Sequence, residues 1–166
     1  MAREIKHSLR FDAPVETVYD ALTSEEYWAA RIAEVGGSLS RVVDVSHTGD
    51  TFTVNLEQVI RSHYLPALIQ RVMQSNIKIM RSETWGPLQG GKSTGQFTSV
   101  VEGRRANMAG VTKLVSTASG SEVSFTGVVE VGIPLVGRAV EAIVAEQLPR
   151  LFKVEDEFSK AWVAGR

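Results

Sequence analysis

A long amphipathic stretch at the end of the chain, Ile133–Ala164, constrains the fold more than any other feature of the sequence. Its apolar residues recur at helical spacing and its charged residues fall on the opposite side, which predicts one long helix with a single buried face. The predicted face consists of Val136, Val140, Ile143, Leu151, Val154, Phe158 and Ala161. A small sheet can cover so long a helix only by curling around it, and this geometry leaves room for a cavity between the two.

The rest of the chain has mostly the patterns of strands. A first strand at Ile5–Phe11 precedes two helical segments, Pro14–Leu22 and Thr23–Val35, and Thr23 with Glu26 forms a capping-box pattern. Strand patterns then occupy residues 39–47, 51–60, 76–85, 93–102, 111–118 and 122–131. Because parallel neighbours would need crossover helices, the short turns between these runs predict an antiparallel sheet. Residues 62–74 change to helical spacing, so a short helix or an apolar loop is expected there.

Composition bounds the class of protein. The 166 residues predict one domain, 1–166, with ordinary apolar and charged fractions of 43% and 22%. The net charge of -1 gives no overall field that favours nucleic acid, and the lack of cysteine excludes disulfides and thiolate sites. No apolar run approaches the roughly 20 residues of a membrane span, and the N-terminus lacks the pattern of a signal peptide. We therefore predict a cytoplasmic protein with no stable membrane insertion and no nucleic-acid partner. The sequence does not determine its oligomeric state.

One string imitates a nucleotide-binding motif. The segment Gly86–Ser93, GPLQGGKS, matches the P-loop pattern letter for letter. A P-loop must lead into a helix whose N-terminus faces the phosphates, whereas residues 93–101 have the composition of a strand. We therefore interpret the segment as a hairpin loop.

The titratable residues predict neither a metal site nor a catalytic group. His7, His47 and His63 form no pair at metal-ligand spacing, and no Ser/His/Asp arrangement is evident. The predicted catalytic residues, metals and cofactors are therefore none. His7 falls on the apolar face of the first strand. There it is either a hydrogen-bonded histidine of the core or a residue that contacts a ligand.

The strand at residues 76–85 has polar groups on an apolar face. Arg81, Glu83 and Trp85 alternate on the same face as Ile77 and Ile79. If this face is inward, the interior contains a charge pair and an indole that could anchor the polar head of an apolar ligand. If the sheet twists, this end is solvated, and the sequence leaves both readings open.

Two residues interrupt the pattern of the last helix. Gln147 lies in the middle of the apolar face, where it either bonds neighbouring backbone or faces a ligand or water. Pro149 lies on the polar side, deletes an amide donor and crowds the carbonyl of Ala145, which predicts a kink. The kink would bend the helix around the core, or it could act as a hinge for access to the cavity.

Several strings resemble the START-like superfamily, also called polyketide cyclase or birch-pollen-allergen-like (SRPBCC). Phe11–Leu22 resembles its first strand running into its first helix. Ser82–Pro87, Ile133–Gly137 and the ExxFxxxW string at residues 155–162 resemble an uncharacterised, mainly actinobacterial family of unknown function within it. The resemblance covers nearly the whole chain.

The resemblance implies an α+β helix-grip fold. In that fold a curved antiparallel sheet wraps around a long C-terminal helix, two short helices follow the first strand, and an apolar cavity lies between sheet and helix. Ser62–Gln74 departs from the family, in which a simple hairpin is usual, and its apolar residues could form a lid, a dimer contact or plain packing. No catalytic residue of the superfamily transfers by motif.

The first functional hypothesis is a binding or carrier protein for an apolar small molecule, such as a fatty acid, an isoprenoid or a polyketide. Arg81 and Gln147 would orient the ligand. From strand alternation, the predicted ligand-binding residues are His7, Leu9, Phe52, Val54, Leu56, Ile79, Arg81, Trp85, Phe97, Phe125, Gln147, Leu151 and Phe158. A register shift of one residue in any strand would exchange all its predicted inward-facing residues for the outward-facing ones.

Two alternatives stay open. The first is an enzyme for cyclisation or dehydration in the same cavity, with His7, Glu83 or Glu130 as acid or base; a cavity carboxyl group with a perturbed pKa would favour it. The second is a partner-binding module with a collapsed cavity, which an exposed apolar patch near Leu65, Leu68 and Ile69 would favour.

Overall fold

One antiparallel sheet and one long helix dominate the computed structural model, which describes residues 2–165. The strands are β1 (Ala2–Phe11), β2 (Arg41–Thr48), β3 (Thr51–Ile60), β4 (Ile77–Trp85), β5 (Lys92–Val101), β6 (Ala106–Thr117) and β7 (Gly120–Val131). The helices are α1 (Val15–Leu22), α2 (Glu25–Val35), α3 (Ala67–Met73) and α4 (Gly137–Ala164), with a 3-10 turn at Ser62–Tyr64. The seven strands are ordered β1-β7-β6-β5-β4-β3-β2. This curved sheet against α4 confirms the predicted α+β helix-grip fold.

The antiparallel register sorts the connections to two opposite ends of the sheet. At the α1–α2 end, the Tyr19 hydroxyl donates to the Gly86 carbonyl at 3.0 Å, and Ser121 Oγ donates to the Ala13 carbonyl at 3.0 Å. At the other end, here called the α3 end, lie α3, the β5–β6 turn and the loop before α4. No helix within residues 2–165 has the length and apolar character needed to cross a bilayer.

A separate apolar cluster fills each end. The cluster at the α1–α2 end includes the fully buried Trp28 and Trp85. The cluster at the α3 end packs Leu65, Ile69 and Met73 against the start of α4. Of the two alternatives predicted for residues 62–74, a short helix or an apolar loop, the structure has the short helix. An exposed apolar patch at Leu65 and Ile69 would have favoured a partner-binding module. That prediction is wrong, because both side chains face this cluster and are buried.

The predicted buried face of α4 is wrong in its second half. Val154 is 50% exposed and Ala161 is exposed, whereas Glu155 and Ser159 are buried. Apolar periodicity missed this face because its polar side chains have hydrogen-bonding partners on other elements. The helix also starts at Gly137 instead of Ile133, and it continues through the exposed Pro149.

The start of β6 differs from the prediction. β6 begins at Ala106 instead of Val111, because the glycine that suggested a turn lies inside the strand. Gly110 pairs with Gly127, and a Cβ atom on Gly110 would collide with the Thr126 carbonyl, so this close approach of backbones needs glycine.

The cap of α2 differs as well. Ser24 caps this helix instead of Thr23, and its Oγ accepts from the Tyr27 amide at 3.5 Å. Thr23 Oγ1 donates to the Tyr19 carbonyl at 2.8 Å, so it closes α1.

The segment that imitates a P-loop is a hairpin loop, as predicted. Gln89 and Lys92 form a bridge across a two-residue turn at Gly90 and Gly91, whose φ angles are 59° and 72°. Positive φ at both central residues suits glycine and the tight twist of a hairpin. The loop leads directly into β5, whereas a P-loop would lead into a helix.

Candidate functional site

A cavity of about 60 Å³ lies between the sheet and α4. Its apolar wall comes from three inward-facing positions of the strands and from one ring on α4. These residues are Leu9, Phe97, Phe125 and Phe152. The rest of the lining is Phe11, Leu22, Leu56, Met108 and Val123, with the polar residues His7, Tyr27, Arg31, Arg81, Ser82, Glu83, Thr98, Ser99, Glu155, Asp156 and Ser159. By number, about half of the lining residues are apolar and about half are polar.

A buried carboxylate between two arginines dominates the polar half. Glu155, on α4, is 6% exposed. Its Oε2 lies 2.6 Å from Arg31 Nη2 on α2, and its Oε1 lies 2.9 Å from Arg81 Nη1 on β4. Arg81 Nη1 also donates to Gln58 Oε1 at 3.1 Å. The inward orientation of Arg81 resolves the alternative left open by the sequence.

These ion pairs set the charge of the cluster. Burial alone would raise the pKa of Glu155, but the positive charges of Arg31 and Arg81 outweigh it and hold the pKa down to about 2. Glu155 is therefore an anion at neutral pH, and it balances one of the two guanidinium charges.

A second buried carboxyl group, Glu83, has a different environment. Its Oε1 accepts from the indole Nε1 of Trp85 at 2.9 Å, and the residue is 7% exposed. Burial raises the pKa of Glu83 above its ordinary value, although Arg31 and Arg81 oppose this shift. The cluster therefore combines a stabilised carboxylate with a carboxyl group that resists ionisation.

Replacing Glu83 with glutamine is expected to remove a pH dependence of stability. The folded-state pKa of Glu83 lies above its unfolded value of 4.5, so its contribution to stability is fully present below pH 4.5 and is lost as pH rises through the folded pKa. The stability of the Glu83→Gln variant relative to wild type should therefore rise between pH 4.5 and neutral pH. Urea unfolding across this range measures it, and a constant difference would contradict the assignment.

Tyr27 and Ser159 extend the polar half toward α2. Ser159 Oγ donates to the Glu155 carbonyl at 2.9 Å, so its one hydroxyl proton is used there. The Tyr27 hydroxyl, 2.7 Å away, therefore donates to Ser159 Oγ. Burial raises the pKa of Tyr27, which keeps this hydroxyl protonated.

A histidine–carboxylate pair lies elsewhere on the lining. His7 Nε2 lies 3.0 Å and 2.9 Å from the two carboxylate oxygens of Asp156, and it carries the proton because a carboxylate only accepts. The His7 ring stacks on Phe152, with centroids 4.5 Å apart. His7 on β1 is thus held against α4, and its ring also stacks on Phe125 of β7 with centroids 6.3 Å apart.

The structure brings six of the thirteen predicted ligand-binding residues to the cavity. These six are His7, Leu9, Leu56, Arg81, Phe97 and Phe125. The other seven lie outside its lining and are Phe52, Val54, Ile79, Trp85, Gln147, Leu151 and Phe158.

The residues outside the lining have other roles in packing. Phe52, Val54 and Trp85 belong to the apolar core at the α1–α2 end, and Ile79 packs in the cluster at the α3 end. Phe158 packs against Tyr27 with ring centroids 5.8 Å apart. The inward alternation of the strands was right, but the sheet is longer than the cavity, so only part of each inner face reaches it.

Residues missed by sequence reasoning complete the site. Arg31, Glu155 and Asp156 supply most of its charge, and the ring of Phe152 closes its apolar wall. The ExxFxxxW string contains Glu155, which was the one signal available for it. Glu130, considered as an acid or base, is exposed near the end of β7 and does not line the cavity.

The chemistry of the donors does not suit a metal ion. Within residues 2–165, no group of three His, Asp or Glu side chains could hold one. The arrangement can instead bind a polar group through guanidinium donors, or exchange a proton through Glu83.

Solved structures of other proteins share this architecture. The di-domain ARO/CYC StfQ from the steffimycin biosynthetic pathway has a TM-score of 0.63 and 12% identity, over all of this chain and 52% of that chain. A STAR-related lipid transfer protein fragment from Xanthomonas axonopodis has a TM-score of 0.60 and 15% identity, over 98% and 86% of the two chains. The fold is therefore the START-like helix-grip fold.

The chain is more similar in sequence to members of one protein family than to these two solved structures. A family model matches residues 6–163, and the chain belongs to that family, described as a protein of unknown function, DUF2505. The uncharacterised protein Rv0481c of Mycobacterium tuberculosis is 28% identical in an alignment of 170 positions that covers 98% of each chain. These matches confirm the resemblance found in the sequence.

Proposed function

We propose that this protein is a cytoplasmic binding or carrier protein for a small molecule with an apolar skeleton and a polar end. The observation that carries the proposal is the mixed lining of the cavity. The rings of Phe97, Phe125 and Phe152 line it together with the guanidinium groups of Arg31 and Arg81. Apolar walls with a few convergent polar groups are typical of ligand pockets.

The charge balance indicates the polar end of the ligand. Arg31 and Arg81 carry two positive charges, Glu155 compensates one, and burial disfavours ionisation of Glu83. The cluster therefore tends toward an excess of positive charge in a site of low dielectric. A carboxylate or a carbonyl oxygen suits it, because guanidinium groups only donate hydrogen bonds.

The ligand must widen the cavity as it enters. About 60 Å³ is far below the roughly 300 Å³ at which small-molecule pockets begin. Phe152, Glu155, Asp156 and Ser159 all line the cavity from the part of α4 that follows Pro149. Since Pro149 removes one hydrogen bond of the helix, we infer that this part of α4 moves outward about the proline.

The names of two structural neighbours support a ligand of this kind. One is a lipid transfer protein and the other an ARO/CYC of a biosynthetic pathway. Their chains have low identity to this one, so they support the kind of fold and cavity and not a particular ligand.

Native mass spectrometry of the purified full chain tests the proposal. We expect a stoichiometric apolar compound with an acidic or carbonyl end, which organic extraction identifies. Ser99→Phe places a ring in the cavity and should lower its occupancy at least about tenfold. Thr94→Phe, on the exposed face of the same strand, is the matched control and should retain the compound.

Two results would overturn this function. The first is bare protein that also rejects a panel of fatty acids, isoprenoids and polyketides and takes up no anilinonaphthalene sulfonate probe. The second is equal loss of the compound in the Ser99→Phe and Thr94→Phe variants, because the site would then lie elsewhere.

Acid–base catalysis in the same cavity is a second candidate function. The observation that favours it is Glu83, a buried cavity carboxyl group whose pKa is raised. A cyclase or dehydratase needs such a group to give a proton to a leaving oxygen. If incubation with wild type converts the extracted compound into a cyclised isomer or a dehydrated product, and incubation with the Glu83→Gln variant does not, the protein is an enzyme.

A further inference from the structure

Exposed arginines are concentrated at one end of the molecule. The sequence contains no acidic residue between Glu57 and Glu83 or between Glu102 and Glu122. The fold brings these segments and the start of α4 to the α3 end, where five arginines are exposed. They are Arg61, Arg71, Arg104, Arg105 and Arg138.

The exposed acidic residues at this end are fewer than the arginines. Glu102 lies 3.6 Å from Lys78, and Glu4 and Glu130 are exposed on the neighbouring strands β1 and β7. Glu141 is buried and accepts from the Val131 amide at 3.0 Å. The opposite end has the reverse charge, because Asp12, Glu16, Asp20, Glu25 and Glu26 are all exposed in and around α1 and the start of α2. A net charge of -1 therefore conceals a strong separation of charge along the sheet.

Two exposed apolar side chains lie among these arginines. Leu135 is 105% exposed, in the loop before α4, and its φ of 69° is a strained conformation for a leucine. Tyr64 is 75% exposed, next to α3. Both flank the apolar cluster at the α3 end, and the hydrogen bond from the Gly132 amide to the Arg105 carbonyl at 2.6 Å joins the loop of Leu135 to the arginine turn.

We propose that the α3 end is a docking surface for membranes that contain anionic lipids. The exposed arginines would lie at the phosphate and carboxylate groups of the lipids, and Leu135 and Tyr64 would enter the interfacial layer. A nucleic acid would satisfy the arginines but gain nothing from a fully exposed leucine. This inference goes beyond the cavity proposal, since it concerns a surface that contains none of the cavity residues.

Vesicle co-sedimentation of the full chain tests this surface. Wild type is expected to bind phosphatidylcholine vesicles in which about a third of the lipid is phosphatidylserine, and not pure phosphatidylcholine vesicles. The Arg104→Gln, Arg105→Gln double variant should weaken binding roughly 25-fold, about fivefold per charge. Leu135→Asn keeps a residue that tolerates this φ and should weaken binding several-fold.

Matched controls separate the docking surface from general effects. Lys153→Gln with Lys160→Gln removes two exposed charges from α4, and Val154→Gln removes an exposed apolar side chain. Neither control should change vesicle binding. The Ser99→Phe variant should also bind vesicles like wild type, so a failed docking proposal and a failed cavity proposal give different results.

Three outcomes would overturn the docking proposal. Wild type that ignores anionic vesicles is one, and equal losses in the test and control variants are another. The third is binding of duplex DNA or RNA that the arginine variant abolishes and Leu135→Asn leaves intact, because the partner would then be a nucleic acid.

Discussion

Replacing Glu155 with glutamine is expected to lower the free energy of unfolding by about 3–5 kcal/mol. The substitution keeps the shape of the side chain but leaves Arg31 and Arg81 without the carboxylate that lies 2.6 Å and 2.9 Å from them. Two guanidinium groups would then share a buried site with no assured anion, because burial disfavours ionisation of Glu83. Urea or guanidinium unfolding at neutral pH measures the loss.

A surface pair provides the control for this prediction. Arg10 Nε lies 3.0 Å from Glu122 Oε2, and the Arg10 side chain is 85% exposed. Glu122→Gln should therefore change the free energy of unfolding by less than about 1 kcal/mol. Exchanging Arg31, Arg81 and Glu155 together for methionine should recover most of the lost stability, since apolar groups can replace a buried ion cluster. Similar losses for Glu155→Gln and Glu122→Gln would contradict the buried cluster.

The effect of Glu155→Gln should also depend on pH. The folded-state pKa of Glu155 is about 2 and its ordinary value is 4.5, so its contribution to stability is present above pH 4.5 and is lost as pH falls toward 2. The difference between wild type and variant should shrink over that range. This trend is opposite to the one expected for Glu83, although the two carboxyl groups share one cluster.

Replacing Trp85 with alanine is expected to lower the free energy of unfolding by about 3–5 kcal/mol as well. The indole is fully buried in the apolar cluster at the α1–α2 end, and Trp85 pairs with Phe52 on the neighbouring strand. Removing the ring creates a large cavity and deletes the donor to Glu83. Trp162→Ala, at a half-buried tryptophan of α4, is the control. It should lower the free energy of unfolding less than Trp85→Ala does.

The Trp85→Phe variant separates the two effects of the indole. Phenylalanine retains most of the apolar packing but cannot donate to Glu83, so a loss of about 2 kcal/mol is expected. The hydrogen bond from Trp85 lowers the pKa of Glu83, so its removal should raise that pKa further. The stability change between pH 4.5 and neutral pH should then move to higher pH than in wild type. An unchanged profile would show that the indole does not act on Glu83.

The sequence by itself determined the order of the elements, and its resemblance to the START-like superfamily indicated the helix-grip fold. The alternation Phe52, Val54, Leu56 in β3 and the helical spacing in α1 and α3 are local patterns, and each reports which side of its own element is buried. The placement of Leu9, Phe97 and Phe125 on the inner face followed from the same alternation. These predictions succeeded because the period of a strand or a helix depends only on near neighbours in the chain.

The tertiary structure alone decided the charge arrangement and the size of the cavity. Arg81 and Glu155 are 74 residues apart in the sequence, and His7 and Asp156 are 149 apart. Apolar periodicity assigned the buried face of α4 incorrectly, because a carboxylate can lie in the interior only when distant residues supply its partners. The basic α3 end likewise arises from segments that are separate in the sequence and adjacent only in the fold. A pattern along one element contains no information on partners contributed by another, so both sites had to be found in three dimensions.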